Sequence, residues 1–507
     1  MSLGRSFSVA LLGVDGAVIE CEADLADGLP GFTLVGLPDA SLSESKDRVR
    51  AAVANSGWVW PSRKITVGLL PATLPKTGSS FDLAMALAVL SGASQVPAPA
   101  LDEHVVLGEL GLDGRVRAVR GVLPMVLAAA RAGRTRMLVP IDNAHEARLV
   151  PGVEIVGVRS LRDAVAYLAE GVIPPQPRQD EPSRAQLASL DLAQVGGQAK
   201  ARRAIEVAAA GGHHIFLLGA PGAGKTMLAE RLPGLLPLLS DAWALEVSAI
   251  HSLAGLLDEG APLVRVPPFR APHHSATIPA LVGGGGAVLR PGDISCAHRG
   301  VLFLDEAPEF RAGALDAMRQ PLESGIARIS RARASVEFPC RSTVVMAANP
   351  CPCARTSASM GCECTSTVRR RYLGKLSGPL LDRVDIRVWI EPVSRADLIS
   401  DQSAIEPSAV VAARVAQARA AAAERLQRTP WQSMGEVPAH ELRTRWPLAE
   451  SVLGSVARCL DRGQLSMRGF DRVIRLGWTL ADLAGAASPG PVELGEALSL
   501  RTEARLS

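Results

Sequence analysis

The run Gly219-Ala-Pro221-Gly222-Ala-Gly224-Lys225-Thr226 fits G-x-x-x-x-G-K-[ST], a pattern that holds a polyphosphate. Its glycines let backbone N–H groups close around phosphate oxygens, and Lys225 reaches the β- and γ-phosphates. Thr226 supplies a hydroxyl to Mg²⁺. Further along, Asp305-Glu306 ends the stretch GVLFLDE. There Asp305 can hold the metal through its water shell, and Glu306 can polarise an attacking water. Asn349 closes STVVMAAN and can hold the same water. Arg383 stands just before a further apolar stretch, and Arg468 and Arg472 lie at i, i+4 on one helical face. An arginine brought to a γ-phosphate stabilises transition-state charge. Together these groups suit hydrolysis of a nucleoside triphosphate.

A second set of ligand-type residues lies between Asn349 and Arg383. Cys351, Cys353, Cys362 and Cys364 form C-x-C-x₈-C-x-C, and four thiolates close a tetrahedral Zn²⁺ shell. The one-residue gaps are tighter than the usual two to four, and Pro352 helps the chain bend. An iron–sulfur cluster is the other occupant such ligands allow.

These groups need rigid elements behind them. HHIFLLG reads as a buried strand feeding the glycine loop, and KTMLAE as the helix after it. VLFL, STVVMAA and DIRVWI have the continuous apolar character of parallel strands covered on both faces. Beyond residue 393 the pattern is helical, in PSAVVAARVAQARAAAAERLQ, LAESVLGSVARCL and FDRVIRLGWTLADLAG. GVIPPQPRQDEPSR, rich in proline and charge, reads as a linker.

At 507 residues the chain exceeds one core, so about three domains of roughly 150 residues are expected. Lys+Arg 54 against Asp+Glu 51 leaves +3, too little to imply a partner, so basic regions must be argued locally. No apolar run approaches the ~18–20 residues of a membrane span. MSLGRSFSVALLGVDG reads as a first strand rather than a signal peptide. A reducing, cytoplasmic setting without disulfides is therefore expected, with Cys21, Cys296, Cys340 and Cys459 as small core residues.

FRAPHHSATIPALVGGG, PGDISCAHRGVLFLDEAPEF, LSGPLLDRVD and SMRGFDRVIRLGWTLADLAG resemble the magnesium-chelatase-like AAA+ ATPases of the YifB/ComM family. GLPGFTLVGLPD and ESKDRVRAAVANSG resemble that family's N-terminal domain. The resemblance implies an α/β multidomain chain. Residues 1–172 would form a Lon/S5-like α+β domain and 173–189 a linker. Residues 190–392 would form the AAA+ parallel-sheet core and 393–507 a helical lid. It also implies a ring, usually a hexamer, with ATP and Mg²⁺ between neighbours. Arg383 would be the finger acting in trans, Asn349 the first sensor, and Arg468 the second sensor contacting the nucleotide from the lid. Family members of the ComM type are linked to DNA branch migration in recombination during transformation. Chelatase relatives drive metal insertion into a porphyrin, so the alternative is a chelatase-like or chaperone-like remodeller of a protein partner.

LPKTGSSFDLAMALAVLSG resembles the Lon segment carrying the nucleophilic serine, at Ser80. That serine needs a lysine base, yet Leu123 stands in the corresponding stretch RGVLPMVLAAARAG. Proteolysis is not expected unless Lys46, Lys64 or Lys76 substitutes. Between residues 328 and 371 eight arginines face two acids. ARISRARASVEF reads as a hairpin with Arg331 and Arg333 near its tip. In the AAA+ group this resembles, such hairpins point into the ring pore, where arginines would grip DNA phosphates, single-stranded or branched, without reading sequence. The segment with His273, His274 and Arg290 is a second pore candidate. Aromatic residues make up 4%, too few for base stacking to dominate.

Overall fold

A computed structural model describes the chain except residues 1, 37–41, 43, 77, 177–189, 259–262, 286–288, 332–333, 354–361, 363, 393–404 and 503–507. Arg333, most of the expected linker and the expected boundary at 393 lie outside the described residues.

The N-terminal unit is built on a seven-stranded sheet. Its order is Gly31–Val35, Lys64–Leu70, Asp15–Ala26, Ser2–Leu12, His104–Val106, Arg136–Pro140 and Glu154–Val158. Asp15–Ala26 alternates as a strand with one dry face must: Ile19, Cys21, Ala23 and Leu25 are buried. The dry face is covered by helix Asp82–Gly92, every residue of which is buried. The approach is close enough to need glycine, since a Cβ on Gly4 would lie 2.0 Å from the Ala88 carbonyl. Past residue 172, Gln176 still belongs to this unit. Its amide exchanges hydrogen bonds with the backbone of Gly157, both 3.0 Å.

The central unit is a five-stranded, wholly parallel sheet. From edge to edge its order is Phe269–Arg270, Val301–Leu304, Thr343–Ala348, Ile215–Gly219 and Ile386–Ile390. Its strands are apolar throughout because both faces are covered. Leu217, Phe303, Val345 and Val388 face helix Ala199–Gly211 and the C-terminal helices. Phe216, Leu218, Leu302 and Met346 face the other side, over the hairpin Ile326–Arg331/Ala334–Pro339.

Helices Ser408–Leu426, Glu450–Asp461 and Met467–Ala484 follow the three expected helical segments, and Pro491–Thr502 adds a helix that no named segment covered. They do not stand apart from the sheet. Val473, Leu476 and Leu494 share one apolar cluster with Ala204 and Val207. Ser408 and Asp191 also lock the two starts together: Leu192 N–H donates to Ser408 Oγ at 2.7 Å, and Ser408 N–H to Asp191 Oδ1 at 2.8 Å.

Among the described residues, the N-terminal unit packs against the central one through Leu123 and through the turn after Ser2–Leu12. Leu123 is fully buried with Ala249 of helix Asp241–Ala254. Glu146 beside it accepts from Leu123 N–H (3.3 Å), Asn143 Nδ2 (2.6 Å) and Ser252 Oγ (2.6 Å). Burial pushes the Glu146 carboxyl above its ordinary value, against those three donors. At the other place, the turn after Ser2–Leu12 rests on the hairpin: Leu12 and Val14 pack with Val336 and Phe338. A Cβ on Gly13, at φ +70°, would come 3.0 Å from the Glu337 carbonyl. Of the lysines that could replace the missing base, Lys46 and Lys64 are exposed, and buried Lys76 donates to the Pro71 carbonyl.

Candidate functional site

Parallel strands release their following loops at one end of the sheet, and the expected triphosphate groups meet there. Strand Ile215–Gly219 runs into the loop holding Pro221, Gly222 and Gly224, and Lys225 opens helix Lys225–Arg231. Gly222 (φ 76°) and Gly224 (φ 88°) adopt left-handed backbone, which side chains rarely tolerate. Gly219 is required by crowding, because its Cβ would lie 2.4 Å from the Ile390 carbonyl. Lys225 Nζ donates to the carbonyls of Gly219 (2.8 Å) and Ala220 (2.9 Å) and to Asn349 Oδ1 (3.0 Å). Burial lowers its pKa, and the Asp305 and Glu306 carboxylates oppose that shift. Thr226 Oγ1 donates to Asp305 Oδ2 at 3.0 Å. That pair of exposed hard oxygens suits Mg²⁺. Glu306 itself sits in left-handed backbone, φ 49° and ψ 43°, a costly conformation for a residue with a side chain. Its side chain is 52% exposed.

Two residues at this end were not foreseen. His274 Nδ1 lies 3.5 Å from Glu306 Oε2, so this histidine of the second pore candidate stands beside the groups expected to bind the triphosphate. The reason is register. Phe269 pairs with Val301 and Arg270 with Leu302, so residues just past Arg270 emerge beside Asp305 and Glu306. Gln198 donates to the carbonyls of Ala223 (3.2 Å) and Glu391 (2.5 Å), tying the phosphate loop to the neighbouring strand's end.

Arg383 and Arg468 lie elsewhere. Both line an open cleft of about 600 Å³ at the opposite, N-terminal ends of the strands. Asp385 directly precedes Ile386–Ile390, whose last residue pairs with Gly219. Five residues at ~3.3 Å put about 16 Å between the two ends. Arg468, 70% exposed, reaches Asp382 at 3.1 Å, and Arg383 bonds Glu323 and the Pro379 carbonyl. The expected contact from Arg468 to a nucleotide is therefore not made within one chain. Arg472 does not join them as a free cation. It pairs at 2.5 Å with buried Asp385, which also holds His213 Nδ1 at 2.8 Å and Arg475 at 3.7 Å. Burial pushes Asp385 up, but Arg472, His213 and Arg475 hold it well below the usual carboxylate range. Such pairing is what makes buried charge tolerable, at several kcal/mol per ion otherwise.

The hairpin buries Ala327, Ile329, Val336 and Phe338 and exposes Arg328 and Arg331. Arg328 pairs with Glu337 at 2.7 Å, while Arg331 donates to the Gly285 carbonyl at 3.3 Å. Helix Ser366–Leu373 exposes Arg369, Arg370 and Arg371 and buries Tyr372. Between strand and helix, the sulfurs of Cys351, Cys353, Cys362 and Cys364 all lie within 4.8 Å of one another. No disulfide joins any of the eight cysteines among the described residues. Cys21, Cys296 and Cys340 are buried and Cys459 is half-buried. No helix among the described residues is long and apolar enough to cross a membrane.

Three family models match along the chain: magnesium chelatase subunit ChlI over residues 191–398, subunit ChlI of Mg-chelatase over 21–143, and the ChlI C-terminal region over 405–501. An uncharacterized protein of Mycobacterium tuberculosis is 52% identical over 501 residues, 99% of each chain. The competence protein ComM of Haemophilus influenzae is 39% identical over 514 residues, covering 100% of this chain and 99% of its own. A Lon protease of Trichlorobacter lovleyi is 27% identical over 183 residues, 34% of this chain and 22% of its own. The sheet order, the phosphate loop opposite Asp305 and these full-length similarities place the chain in the YifB/ComM family of magnesium-chelatase-like AAA+ proteins.

Proposed function

We propose that the protein is an ATP-driven, ring-forming motor that acts on single-stranded or branched DNA in the cytoplasm, as a branch-migration helicase. The observation that carries this reading is the division of the hydrolytic set. Lys225, Thr226, Asp305, Glu306 and Asn349 share one end of the sheet, and Arg383 and Arg468 share the other. A single chain then has two half-sites, and a closed ring of copies completes each one head to tail. A hexamer is the ring this family resemblance favours. Thr226 and Asp305 would hold Mg²⁺, which neutralises phosphate charge when bound. Lys225 binds the phosphates, Glu306 accepts the proton of the attacking water, and Asn349 orients that water. Arg383 and Arg468 of the adjacent copy stabilise the charge that develops on the transferring group.

The DNA substrate rests on the arginines exposed on the hairpin and on Ser366–Leu373, and the name of the competence relative agrees with it. Arg331→Ala combined with Arg333→Ala is expected to weaken DNA binding on all sequences alike. The slope of log K against log salt should shrink by roughly one for each phosphate that is no longer neutralised. Fluorescence anisotropy over a salt series reads both, with thermal melting as the folding control. Unchanged affinity and slope would remove the hairpin from the DNA interface. No DNA affinity in the unaltered protein would favour a remodeller of a protein partner.

A further inference from the structure

The four clustered cysteines are not among the groups gathered at the phosphate loop. Their sulfurs are 3.1 Å (Cys351–Cys353), 3.3 Å (Cys351–Cys362) and 3.6 Å (Cys353–Cys362) apart, with Cys364 inside the same 4.8 Å group. Those separations are too long for a disulfide at ~2.05 Å. They approach the edge of a zinc–thiolate tetrahedron, about 3.8 Å for bonds of ~2.3 Å. Thiols are weak donors and weak acceptors, so their mutual hydrogen bonds give little reason to gather four of them. Hard cations prefer oxygen donors, and a multi-iron cluster would spread four thiolates over more than one metal centre. The tight one-residue gaps prove compatible with convergence, since Cys351 and Cys353 turn their sulfurs towards each other.

The place of the cluster gives it a task. Cys351 is two residues past Asn349, whose Oδ1 accepts from Lys225. Cys364 is two residues before helix Ser366–Leu373, its carbonyl accepts from Arg369 Nε at 3.2 Å, and Thr365 caps the helix by accepting from Val368 N–H. We propose that Cys351, Cys353, Cys362 and Cys364 bind one Zn²⁺ as a tetrathiolate site. The ion staples the end of strand Thr343–Ala348 to the arginine-bearing helix and so positions Asn349. A crosslink of this kind fixes a long connection without an apolar core of its own, and the nearby arginines balance the two negative charges left on the ion and its thiolates.

The protein purified without chelators should carry about one Zn²⁺ per chain, as four thiolates close one shell. A mercurial reagent should release it from the unaltered chain, and replacement by Co²⁺ should give the intense visible bands of a tetrahedral thiolate site. Cys351→Ser with Cys353→Ser should lose the metal and open the segment 350–375 to protease. Turnover of ATP should then fall about tenfold or more, while the ATP dissociation constant moves less than about twofold. Absence of metal, zinc retained after all four cysteines are replaced, or iron with a visible absorption band would overturn the site. Metal loss with neither proteolysis nor a fall in turnover would overturn its positioning role. That role rests on the proposed task of Asn349 and not on the DNA substrate. Zinc with protease protection, in a protein indifferent to DNA, would leave this site standing and sink the DNA reading.

Discussion

Glu306→Gln is expected to bind ATP with unchanged affinity and to hydrolyse it at least about a hundredfold more slowly, in the range of a lost general base. The substitution keeps the length and most of the shape of a side chain that is half exposed beside His274. It removes only the carboxylate proposed to take a proton from water. The groups proposed to hold the nucleotide are untouched: Lys225 keeps its bonds to the loop carbonyls, and Thr226 stays paired with Asp305. Rings should therefore accumulate loaded with ATP. Phosphate release and equilibrium nucleotide binding, measured on the same preparation, separate the two effects. Hydrolysis at the normal rate would take Glu306 out of the mechanism and leave its left-handed backbone without a functional reason.

The second large effect belongs to Arg383. Homogeneous Arg383→Ala protein should bind ATP and lose roughly a thousandfold or more in turnover, if Arg383 is the finger proposed above. Arg383 cannot serve its own chain's phosphates, because it stands at the far end of the sheet from Lys225. Mixing Arg383→Ala with Lys225→Ala chains should therefore restore activity that neither has alone. In a randomly mixed ring roughly a quarter of the head-to-tail interfaces pair an intact Lys225 with an intact Arg383. No recovery at any ratio, in rings shown to contain both chains, would argue against action between copies.

How much of this was legible depends on whether the information was local. Lys225, Thr226, Asp305, Glu306 and Asn349 each end or follow an apolar strand, and parallel strands deliver their ends together, so type and order along the chain sufficed. His274 was missed because its position depends on the register of the two-residue strand Phe269–Arg270, too short for any periodicity. Arg468 was recognisable as an arginine of interest, but sequence order does not say which end of the sheet a lid helix covers. Arg472 shared its helical face, yet Asp385 sits buried within 2.5 Å and claims it. The spacing of the cysteines was visible, whereas the convergence of their sulfurs is a property of the folded chain alone. The support of the hairpin by Leu12 and Val14 joins positions more than three hundred residues apart, and nothing local announces it.

If the protein is a DNA motor, its ATP turnover answers to DNA. Steady-state hydrolysis by the full chain, at fixed protein and saturating ATP, should be measured alone and with four-way-junction, single-stranded and duplex DNA of equal nucleotide concentration. Turnover is expected to rise severalfold and to saturate with DNA, most for the junction or the single strand and much less in the Arg331→Ala, Arg333→Ala protein. A rate that stays the same with every DNA, in rings that hydrolyse ATP and depend on Arg383, would contradict it.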